Sequence, residues 1–484
     1  DEDGIYVAVH TKVPADDRKV QSITGLIPGA NWSEREVYDM IGVEMEGHPD
    51  PRRLIVADDW PDDVFPLRCD TPHDVAPASA PDARQVMQEA PEGTHVVPIG
   101  PFFPVLEEPA HFRVFVEGER VVGCDYRGFY SHRGIEKLGC TKLTYNQIPF
   151  IAERICGICG FVHSTSYCQA VEEAAEIEIP ARARWIRTVM LEFERIHSHI
   201  LWVGIAGHII GFDTILMQSW RMREPLMWLT ERISGNRKTY GMNLVGGVRR
   251  DIEPETHPDI LEVMDELEAE WKTLLAAIPG DETLAARLSG MCVLDPEEAA
   301  GLGVTGPCAR ASGLPIDVRV DHPYAAYAEL DTVPKIMARE GDVFARTMVR
   351  LQETLVAIDT IREALATMPE GPILTEITED IPPGKQGISS VEAPRGEVVH
   401  WVLTGENNRP QRWRVRAPTY ANLQSVPAMV SGDTLADVPI GIGSLDPCFA
   451  CTERLEVVDA NSGRVRVYSA DELTGRKPPR EDEV

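Results

Sequence analysis

The chain has 484 residues, with 47 Lys plus Arg against 77 Asp plus Glu, and therefore a net charge of −30. Such an acidic chain repels phosphate backbones and anionic lipid headgroups, so we expect no nucleic-acid binding and no direct adsorption to a membrane surface. Its 43% hydrophobic content is enough for ordinary cores, but no stretch reaches the ~18 uncharged apolar residues of a membrane span. We therefore expect any membrane association to run through partner proteins.

The first predicted elements form a small α/β unit over residues 1–75. Alternation over 5–10 predicts a strand, and Ser33 is expected to cap a short helix. A Pro- and Asp-rich run over 47–74 is typical of a loop that covers a surface instead of building a core. The following stretch, 76–92, is rich in Ala, Pro and Ser and is predicted to be a linker.

The remainder of the chain is predicted to be α+β, with a large central helical bundle and small peripheral β-sheets. Two short strands at 111–116 and 120–125 are expected to pair through a turn. After Pro180, apolar residues recur at helical spacing along one face of a long helix. Further amphipathic stretches predict helices over 212–233, 260–278 and 335–368.

Two Cys-x-x-Cys pairs, Cys156/Cys159 and Cys448/Cys451, are the strongest chemical signal. Two residues between thiolates let both sulfurs reach one metal at a helix start, where the helix dipole favours the anion. Four soft thiolates suit nickel, zinc or iron–sulfur chemistry. A structural zinc site is an equal interpretation of the spacing, although zinc ribbons place their pairs ~15–20 residues apart. A redox dithiol would leave one pair unexplained.

The surroundings of these cysteines resemble the two metal-binding signatures of nickel–iron hydrogenase large subunits. The matching segments read Arg-Ile-Cys-Gly-Ile-Cys-Gly-Phe-Val-His over 154–163 and Asp-Pro-Cys-Phe-Ala-Cys-Thr-Glu-Arg over 446–454. The resemblance covers nearly the whole chain. It is closest to the energy-converting formate hydrogenlyase type, which is related to the NADH:quinone oxidoreductase of respiratory complex I.

This resemblance implies a domain organisation. Residues 1–75 resemble the C-terminal part of a hydrophilic module of complex I, which is fused to the catalytic module in formate hydrogenlyase-type proteins. The large-subunit domain would then span 93–454, and 455–484 would be a propeptide-like tail. In the family, a nickel-dependent maturation endopeptidase cuts at the position that corresponds here to the bond after Arg454, and nickel chaperones assist.

The resemblance also implies the ligands of a nickel–iron centre. Cys156 and Cys448 would be terminal nickel ligands, whereas Cys159 and Cys451 would bridge nickel to iron. The iron would carry one carbon monoxide and two cyanide ligands. A terminal thiolate is basic enough to take the proton when hydrogen splits, and Cys448 is the residue we expect to do so.

Four further residues fall at functional positions of the resembling family. Arg395 would face the nickel, where a fixed guanidinium can polarise hydrogen; a surface salt bridge is the alternative. Thr419 would hydrogen-bond a cyanide ligand. Glu108 resembles a proton-gate glutamate, with an exposed loop acid as the alternative. His163, one helical turn after Cys159, is expected to hydrogen-bond a cysteine sulfur, or equally to be satisfied by backbone.

Glu136 matches the position where other groups of the family hold a second metal, usually magnesium. Those groups also use a His after the last Cys-x-x-Cys, and Arg454 stands in its place here. The sequence therefore leaves a magnesium site open. The unpaired cysteines are expected to be ordinary buried thiols; they are Cys69, Cys124, Cys140, Cys168, Cys292 and Cys308.

We therefore predict the catalytic subunit of a hydrogenase that interconverts protons plus electrons with H2. Its partners would be a small subunit with a 4Fe-4S cluster, since this chain has no ferredoxin-like Cys run, and ferredoxin-like and integral membrane subunits. The complex would lie on the cytoplasmic, inner face of the cell membrane. Two alternatives remain: a quinone-binding complex I-type subunit without a metal, whose loop His is absent from Gly-Pro-Phe-Phe-Pro at 100–104, and a zinc-stapled scaffold.

Overall fold

The computed structural model describes residues 9–56, 60–72, 87–100, 108–129, 132–377 and 380–449, and the backbone of two short strands beyond them. The helices are, in chain order, α1 (Asn31–Ile41), α2 (Ile135–Lys142), α3 (Ile148–Ala152), α4 (Gly160–Ala175), α5 (Ala181–Ile209), α6 (Asp213–Ser234), α7 (His257–Gly280), α8 (Glu282–Leu288), α9 (Pro296–Gly301), α10 (Gly306–Ala311), α11 (Val318–Asp321), α12 (Val343–Thr367), α13 (Pro418–Asn422), α14 (Val426–Val430) and α15 (Val438–Ser444).

Short sheets surround these helices, which confirms the α+β prediction. The strands are β1 (Lys19–Gln21), β2 (Glu44–Glu46), β3 (His95–Ile99), β4 (His111–Glu117), β5 (Arg120–Arg127), β6 (Asn243–Leu244), β7 (Gly247–Val248), β8 (Gln386–Ala393), β9 (Gly396–Thr404), β10 (Pro410–Arg416), β11 (Val457–Val458) and β12 (Val465–Arg466). The two three-stranded sheets, β3-β4-β5 and β10-β9-β8, are antiparallel, and β1 pairs with β2 in parallel.

Long helices α5, α6, α7 and α12 form the central bundle. Pro180 is the N-cap of α5, as predicted. Helix α6 is shifted by one residue from its predicted range, and α7 extends its predicted range by three residues at the start and two at the end. The prediction of a helix over 335–368 was wrong at its start, because α12 begins at Val343. Gly341 has a φ of +64°, and the Asp342 side chain caps the helix by accepting a hydrogen bond from Ala345 N. Among the described helices, none has the length and apolar character needed to cross a membrane.

Helix α5 is buried on nearly every side, including positions that carry charge. The apolar periodicity predicted one buried face. The structure buries the polar face as well, because its Arg and Glu side chains meet opposite charges within the helix and from other parts of the chain. Helix α5 therefore lies at the centre of the fold and contributes residues to the apolar core that also contains the candidate site.

The N-terminal unit differs from two predictions. Ser33 does not cap α1: it lies inside the helix, whose N-cap is Ala30, and no side chain caps it. The described part of the run over 47–74 is irregular but does not only cover a surface, because Phe65, Leu67 and three consecutive residues before them are buried. The carboxylate of Asp39 accepts the N–H groups of these three consecutive residues at 2.9, 2.7 and 3.3 Å, which satisfies their backbone and allows burial; they are Leu54, Ile55 and Val56.

The N-terminal unit packs on the rest of the chain through aromatic contacts. Trp32 of α1 stacks on Tyr126 at 5.2 Å between ring centroids and meets Tyr420 edge-on at 5.6 Å. Most of 5–10 lies outside the described residues, as do most of 76–92 and of 455–484. The domain division at 1–75, 76–92, 93–454 and 455–484 therefore stays a prediction.

Candidate metal centre

Three of the four predicted metal-binding cysteines meet in the main apolar core. Cys156 lies in the loop between α3 and α4, Cys159 is the N-cap of α4, and Cys448 follows α15. The Cys156 sulfur lies 3.0 Å from the Cys448 sulfur and 3.0 Å from the Cys159 sulfur. None of the three is more than 1% exposed. The fourth, Cys451, lies outside the described residues.

Backbone N–H groups distinguish the two cysteines of the first pair. The N–H groups of Ile158 and Cys159 donate to the Cys156 sulfur at 3.4 and 3.3 Å, and the Cys159 thiol donates to it as well. Donors aimed at a sulfur favour its thiolate form. The pKa of Cys159 is raised well above its usual value, because its thiol donates to Cys156 and because it is buried. Cys156 is thus the sulfur best prepared to be an anion.

The donor set fits a soft metal, with a small adjustment. At a metal–sulfur distance of ~2.3 Å, two sulfurs on a tetrahedral metal lie ~3.8 Å apart. The observed 3.0 Å is shorter, and in this conformation no group of three or more His, Cys, Asp or Glu side chains in the described ranges has the spacing of metal ligands. The sulfurs would therefore have to separate by about 0.8 Å. Buried, convergent thiols suit soft metals, among them nickel, zinc and iron.

Arg395 is fixed beside these sulfurs by a fork of hydrogen bonds. Its guanidinium donates to the carbonyl oxygen of Asp446 at 2.6 Å, to Asp446 Oδ1 at 2.7 Å and to Ser198 Oγ at 3.1 Å. Burial opposes its charge, but Asp446 and the neighbouring cysteines hold the pKa of Arg395 well above its usual value. Because the residue is 2% exposed, the alternative of a surface salt bridge is wrong.

Two backbone features hold this Arg–Asp pair in place. Gly396 has a φ of +128°, and a Cβ there would lie 2.4 Å from Thr305 Oγ1, so only glycine fits next to Arg395. Asp446 has a φ of +55°, an uncommon conformation outside glycine. Its Oδ2 is buried and makes no hydrogen bond among the described residues, and burial raises the pKa of Asp446 to about 6. The pair thus leaves one acceptor oxygen uncommitted near the sulfurs.

Thr419 contacts the loop that carries the second cysteine pair. Its Oγ1 accepts a hydrogen bond from Cys448 N at 3.1 Å. Thr419 lies in the first turn of α13 and is buried, so the hydroxyl fixes the backbone of Cys448 with one lone pair. The predicted bond from this hydroxyl to a cyanide ligand stays a prediction.

His163 is held by a chain of aromatic nitrogens. Trp413 Nε1 can only donate, and it donates to His400 Nδ1 at 3.0 Å. His400 Nε2 therefore carries the hydrogen and donates to His163 Nδ1 at 3.1 Å. Burial lowers the pKa of His163 to about 4, so the ring is neutral and its hydrogen is on Nε2, which makes no hydrogen bond among the described residues. Its observed partner is a His side chain, not backbone, and its bond to a sulfur stays a prediction.

Glu108 is partly buried and lies just before β4, two residues from the fully buried Ala110. Residues 101–107 directly before it lie outside the described part of the chain. The proton-gate role of Glu108 stays a prediction.

Two buried acids that the sequence did not reveal support the first cysteine loop. Glu194 of α5 accepts the N–H groups of Phe161 and Val162 at 2.9 and 2.8 Å, at the start of α4. Glu153 accepts the N–H of Gly241 with both oxygens, at 2.8 and 3.0 Å. Burial raises the pKa of Glu194 to about 8 and that of Glu153 to about 7. In the sequence, an acid such as Glu194 among apolar helical positions indicates a buried carboxylate, but the backbone groups that it binds could not be inferred.

A cluster of buried charges lies behind Arg395. We call it the buried ion cluster; its members are Glu192, Arg195, Arg310, Asp317, Arg319, Glu353 and Glu392. Arg195 donates to the backbone oxygen of Glu392 at 2.7 Å, three residues before Arg395. Burial opposes ionisation of Asp317, yet Arg319 and Arg310 lower its pKa to about 2. The cluster therefore braces the strand that carries Arg395.

The unpaired cysteines are mostly buried thiols, but the prediction was wrong for Cys69. This residue is exposed, because it lies in an irregular surface turn next to the exposed Asp70. Cys140 is only partly buried, and its sulfur accepts the N–H of Trp413 at 3.1 Å.

Comparison with family models finds three matches. The chain matches the model of the 49 Kd subunit of respiratory-chain NADH dehydrogenase over residues 210–390 and 378–454. It matches that of the 30 Kd subunit of the same enzyme over 2–76. It matches the nickel-dependent hydrogenase model over 133–205, which contains the first cysteine pair.

Individual proteins give longer matches. The chain is 41% identical over 473 residues to formate hydrogenlyase subunit 5 of Escherichia coli (strain K12), covering 97% of this chain and 83% of that protein. It is 42% identical to hydrogenase-4 component G of the same organism, covering 97% and 82%. It is 40% identical to the membrane-bound hydrogenase subunit alpha of Pyrococcus furiosus, covering 75% and 88%.

One solved structure is similar over most of the chain. A chain of the membrane-bound sulfane sulfur reductase, an archaeal respiratory membrane complex, superposes with a TM-score of 0.71 at 30% sequence identity. The match covers 76% of this chain and 100% of the other. Complex I-type relatives are less similar in sequence; an NADH-quinone oxidoreductase subunit of Phocaeicola vulgatus is 32% identical, covering 88% of this chain and 85% of that protein.

Proposed function

Because the chain belongs to the complex I-related nickel–iron hydrogenase large subunits, we propose that it is the subunit that interconverts protons plus electrons with H2 in a formate hydrogenlyase-like complex. The observation that carries the proposal is the convergence of the Cys156, Cys159 and Cys448 sulfurs in a buried core. A metal-free quinone-binding subunit has no use for buried thiols brought together from positions 292 residues apart.

We infer that Cys156, Cys159, Cys448 and Cys451 would together hold the nickel–iron centre that the family resemblance implies, whose iron would carry carbon monoxide and cyanide ligands. When bound, this centre supplies the redox chemistry that cleaves or forms H2. Soft thiolates in a buried pocket are the ligands such metals require. The N–H groups aimed at the Cys156 sulfur and the charge of Arg395 stabilise several thiolates close together.

The residues around the cysteines prepare the site for proton transfer. Cys448 Sγ is the proposed proton acceptor, and its backbone is fixed by Thr419. Arg395 is held in one orientation by Asp446 and Ser198, so its positive charge faces the reacting region without reorganisation. We propose that protons leave through Glu108, whose carboxylate would exchange them with solvent.

His163 contributes a fixed donor. The chain from Trp413 through His400 sets the tautomer of His163 and leaves its Nε2–H for an acceptor at the cysteine loop. Because Cys156 is among the groups that influence the pKa of this ring, we propose that the N–H is directed at the Cys156 sulfur. A donor of this kind would tune the sulfur and so the metal.

The relatives support a proposal for the partners and location of this chain. One related hydrogenase subunit and the related sulfane sulfur reductase are each named as membrane-bound, the latter as a respiratory membrane complex. We propose that this chain binds an iron–sulfur small subunit with a 4Fe-4S cluster and, through ferredoxin-like and integral membrane subunits, lies on the cytoplasmic face of the cell membrane. An endopeptidase would cut after Arg454 once nickel chaperones have loaded the site.

Metal analysis of the purified complex tests the proposed function. We expect nickel and iron in the large subunit in equal amounts, together with hydrogen-dependent dye reduction. The large subunit is separated from its 4Fe-4S partner before the measurement, so that the iron of that cluster is not counted. Zinc alone in the large subunit would support a scaffold and overturn the proposal, and absence of any metal together with quinone binding would favour the complex I-type alternative.

A further inference from the structure

Two carboxylates from distant parts of the chain share one guanidinium near the surface of the N-terminal unit. Arg414 of β10 donates to both oxygens of Glu36 in α1, each at 2.5 Å, and to Glu136 Oε1 in α2 at 3.1 Å. The side chains are 30%, 11% and 15% exposed, in the order Arg414, Glu36, Glu136. Glu136 is the residue at which the sequence left a magnesium site open.

Three of the four carboxylate oxygens in this group already accept hydrogen bonds. Glu136 Oε1 also accepts the N–H of Val415 at 2.9 Å. Its Oε2 lies 3.6 Å from an Arg412 nitrogen and makes no hydrogen bond among the described residues. Magnesium requires six oxygen ligands in near-octahedral geometry at ~2.0–2.1 Å. Waters can supply most of these ligands, but the one carboxylate oxygen without a hydrogen bond in the described part of the chain lies 3.6 Å from an Arg412 nitrogen, whose charge opposes a cation there.

The charge around the site also opposes a divalent cation. A cavity of about 90 Å³ lies between the N-terminal unit and the rest of the chain. Three guanidinium groups line it, those of Arg133, Arg414 and Arg416, against the two carboxylates of Glu36 and Glu136. Arg416 is paired with Glu397, but Arg412 and Arg414 both lie within 4 Å of Glu136, so their charges would repel a further divalent cation at that carboxylate. Burial alone would raise the pKa of Glu36, but Arg414 lowers it overall and keeps the carboxylate charged.

We infer that the Arg414 guanidinium occupies the place of a divalent cation at Glu136, and that it fastens the N-terminal α/β unit to the metal-holding part of the chain. Its planar fork supplies several N–H donors in fixed directions, which lets one group satisfy two carboxylates. The inference concerns a position away from the cysteines and does not depend on the proposed hydrogenase activity.

The test measures the melting temperature of the purified complex. For the wild type we expect the same value after dialysis against EDTA and after addition of MgCl2 or MnCl2. Arg414→Gln removes the cation between the two carboxylates, so we expect a melting temperature lower by several degrees that Mg²⁺ or Mn²⁺ partly restores. Arg416→Gln is the matched control: it lies on the same strand, but its guanidinium pairs with Glu397, so we expect no restoration by either cation.

Two results would overturn the inference. The first is a wild-type melting temperature that falls in EDTA and recovers with Mg²⁺, together with a Glu136→Gln variant that shows neither change. The second is an Arg414→Gln variant whose response to Mg²⁺ equals that of Arg416→Gln. If Arg414→Gln does not fold, the wild-type measurement still decides, together with Arg414→Lys, which keeps the charge and should show no cation response. Because the readout is melting, a failed hydrogenase assay does not affect it.

Discussion

The cysteine site and the buried ion cluster are equally buried but differ in how their polar groups are partnered. In the ion cluster, each charged group has an opposite charge within 3.5 Å. Arg310 Nη2 of the cluster makes no hydrogen bond among the described residues, but it lies 2.7 Å from the Glu353 carboxylate. At the cysteine site, Asp446 Oδ2 and His163 Nε2 make no hydrogen bond among the described residues either. Paired charges give rigidity, whereas uncommitted donors and acceptors are available for chemistry. Substitutions in the first region should therefore affect folding, and those in the second should affect turnover.

The largest expected effect is at Cys448. Cys448→Ser replaces a soft thiolate by a hard hydroxyl, so nickel content should fall to background and hydrogen turnover by at least about 100-fold. Cys308→Ser is the matched control, because it changes a buried thiol of α10 that belongs to a different apolar cluster from the three sulfurs. Normal nickel content in Cys448→Ser would contradict the site assignment.

The second prediction tests whether substitution in the buried ion cluster reduces the free energy of unfolding. Arg310→Met leaves the carboxylates of Glu353 and Glu392 without their cation in a buried position. The free energy of unfolding should fall by about 3–5 kcal/mol, measured by chemical denaturation. Arg221→Met, which breaks an exposed pair with Glu270, should cost at most about 1 kcal/mol. Equal losses in the two variants would show that the cluster gives no special rigidity.

A smaller effect is expected at Arg395. Arg395→Lys keeps the positive charge but cannot make the forked bonds to Asp446 and Ser198. Turnover should fall by roughly 100-fold, with nickel content and melting temperature unchanged. Retained turnover would mean that charge alone, without a fixed direction, is sufficient.

The smallest effect is a pH slope caused by Glu194. Its folded-state pKa of about 8 exceeds the ordinary 4.5, so between these values the folded state holds a proton that the unfolded state has lost. Stability contributed by this group is therefore present at low pH and declines as pH rises through this window, by about 1.4 kcal/mol per pH unit at most. Glu194→Gln should flatten the change in unfolding free energy between pH 6.5 and 7.5, whereas Glu297→Gln, an exposed acid of α9, should leave it unchanged. An unaltered slope in Glu194→Gln would contradict the assignment.

Much of this arrangement could be predicted from local patterns. Apolar spacing indicated α5, α6 and α7, because burial of a helix face leaves a period in the sequence. The two cysteine pairs indicated a shared site, because few structures other than a metal centre use four thiols at such spacing.

Other features could not be predicted, because they depend on contacts between distant residues. The capping of α4 by Glu194 and the support of three buried N–H groups by Asp39 both join backbone to a side chain from another element. The tautomer of His163 depends on Trp413, two contacts away. Glu136 could be matched to a family position from the sequence, but its partners could not. Its contact with the Arg414 guanidinium depends on the packing of β10 next to α2.

The separation of the cysteines along the chain has a consequence for synthesis. The sulfurs of Cys156 and Cys448 are neighbours in space but 292 residues apart in sequence. At a translation rate of roughly 5–20 residues per second, the first pair waits about 15–60 s on the ribosome for the second. During that interval the nascent chain exposes two thiols that can bind any soft ion in the cell. During this interval the first cysteine pair must be kept from binding the wrong metal.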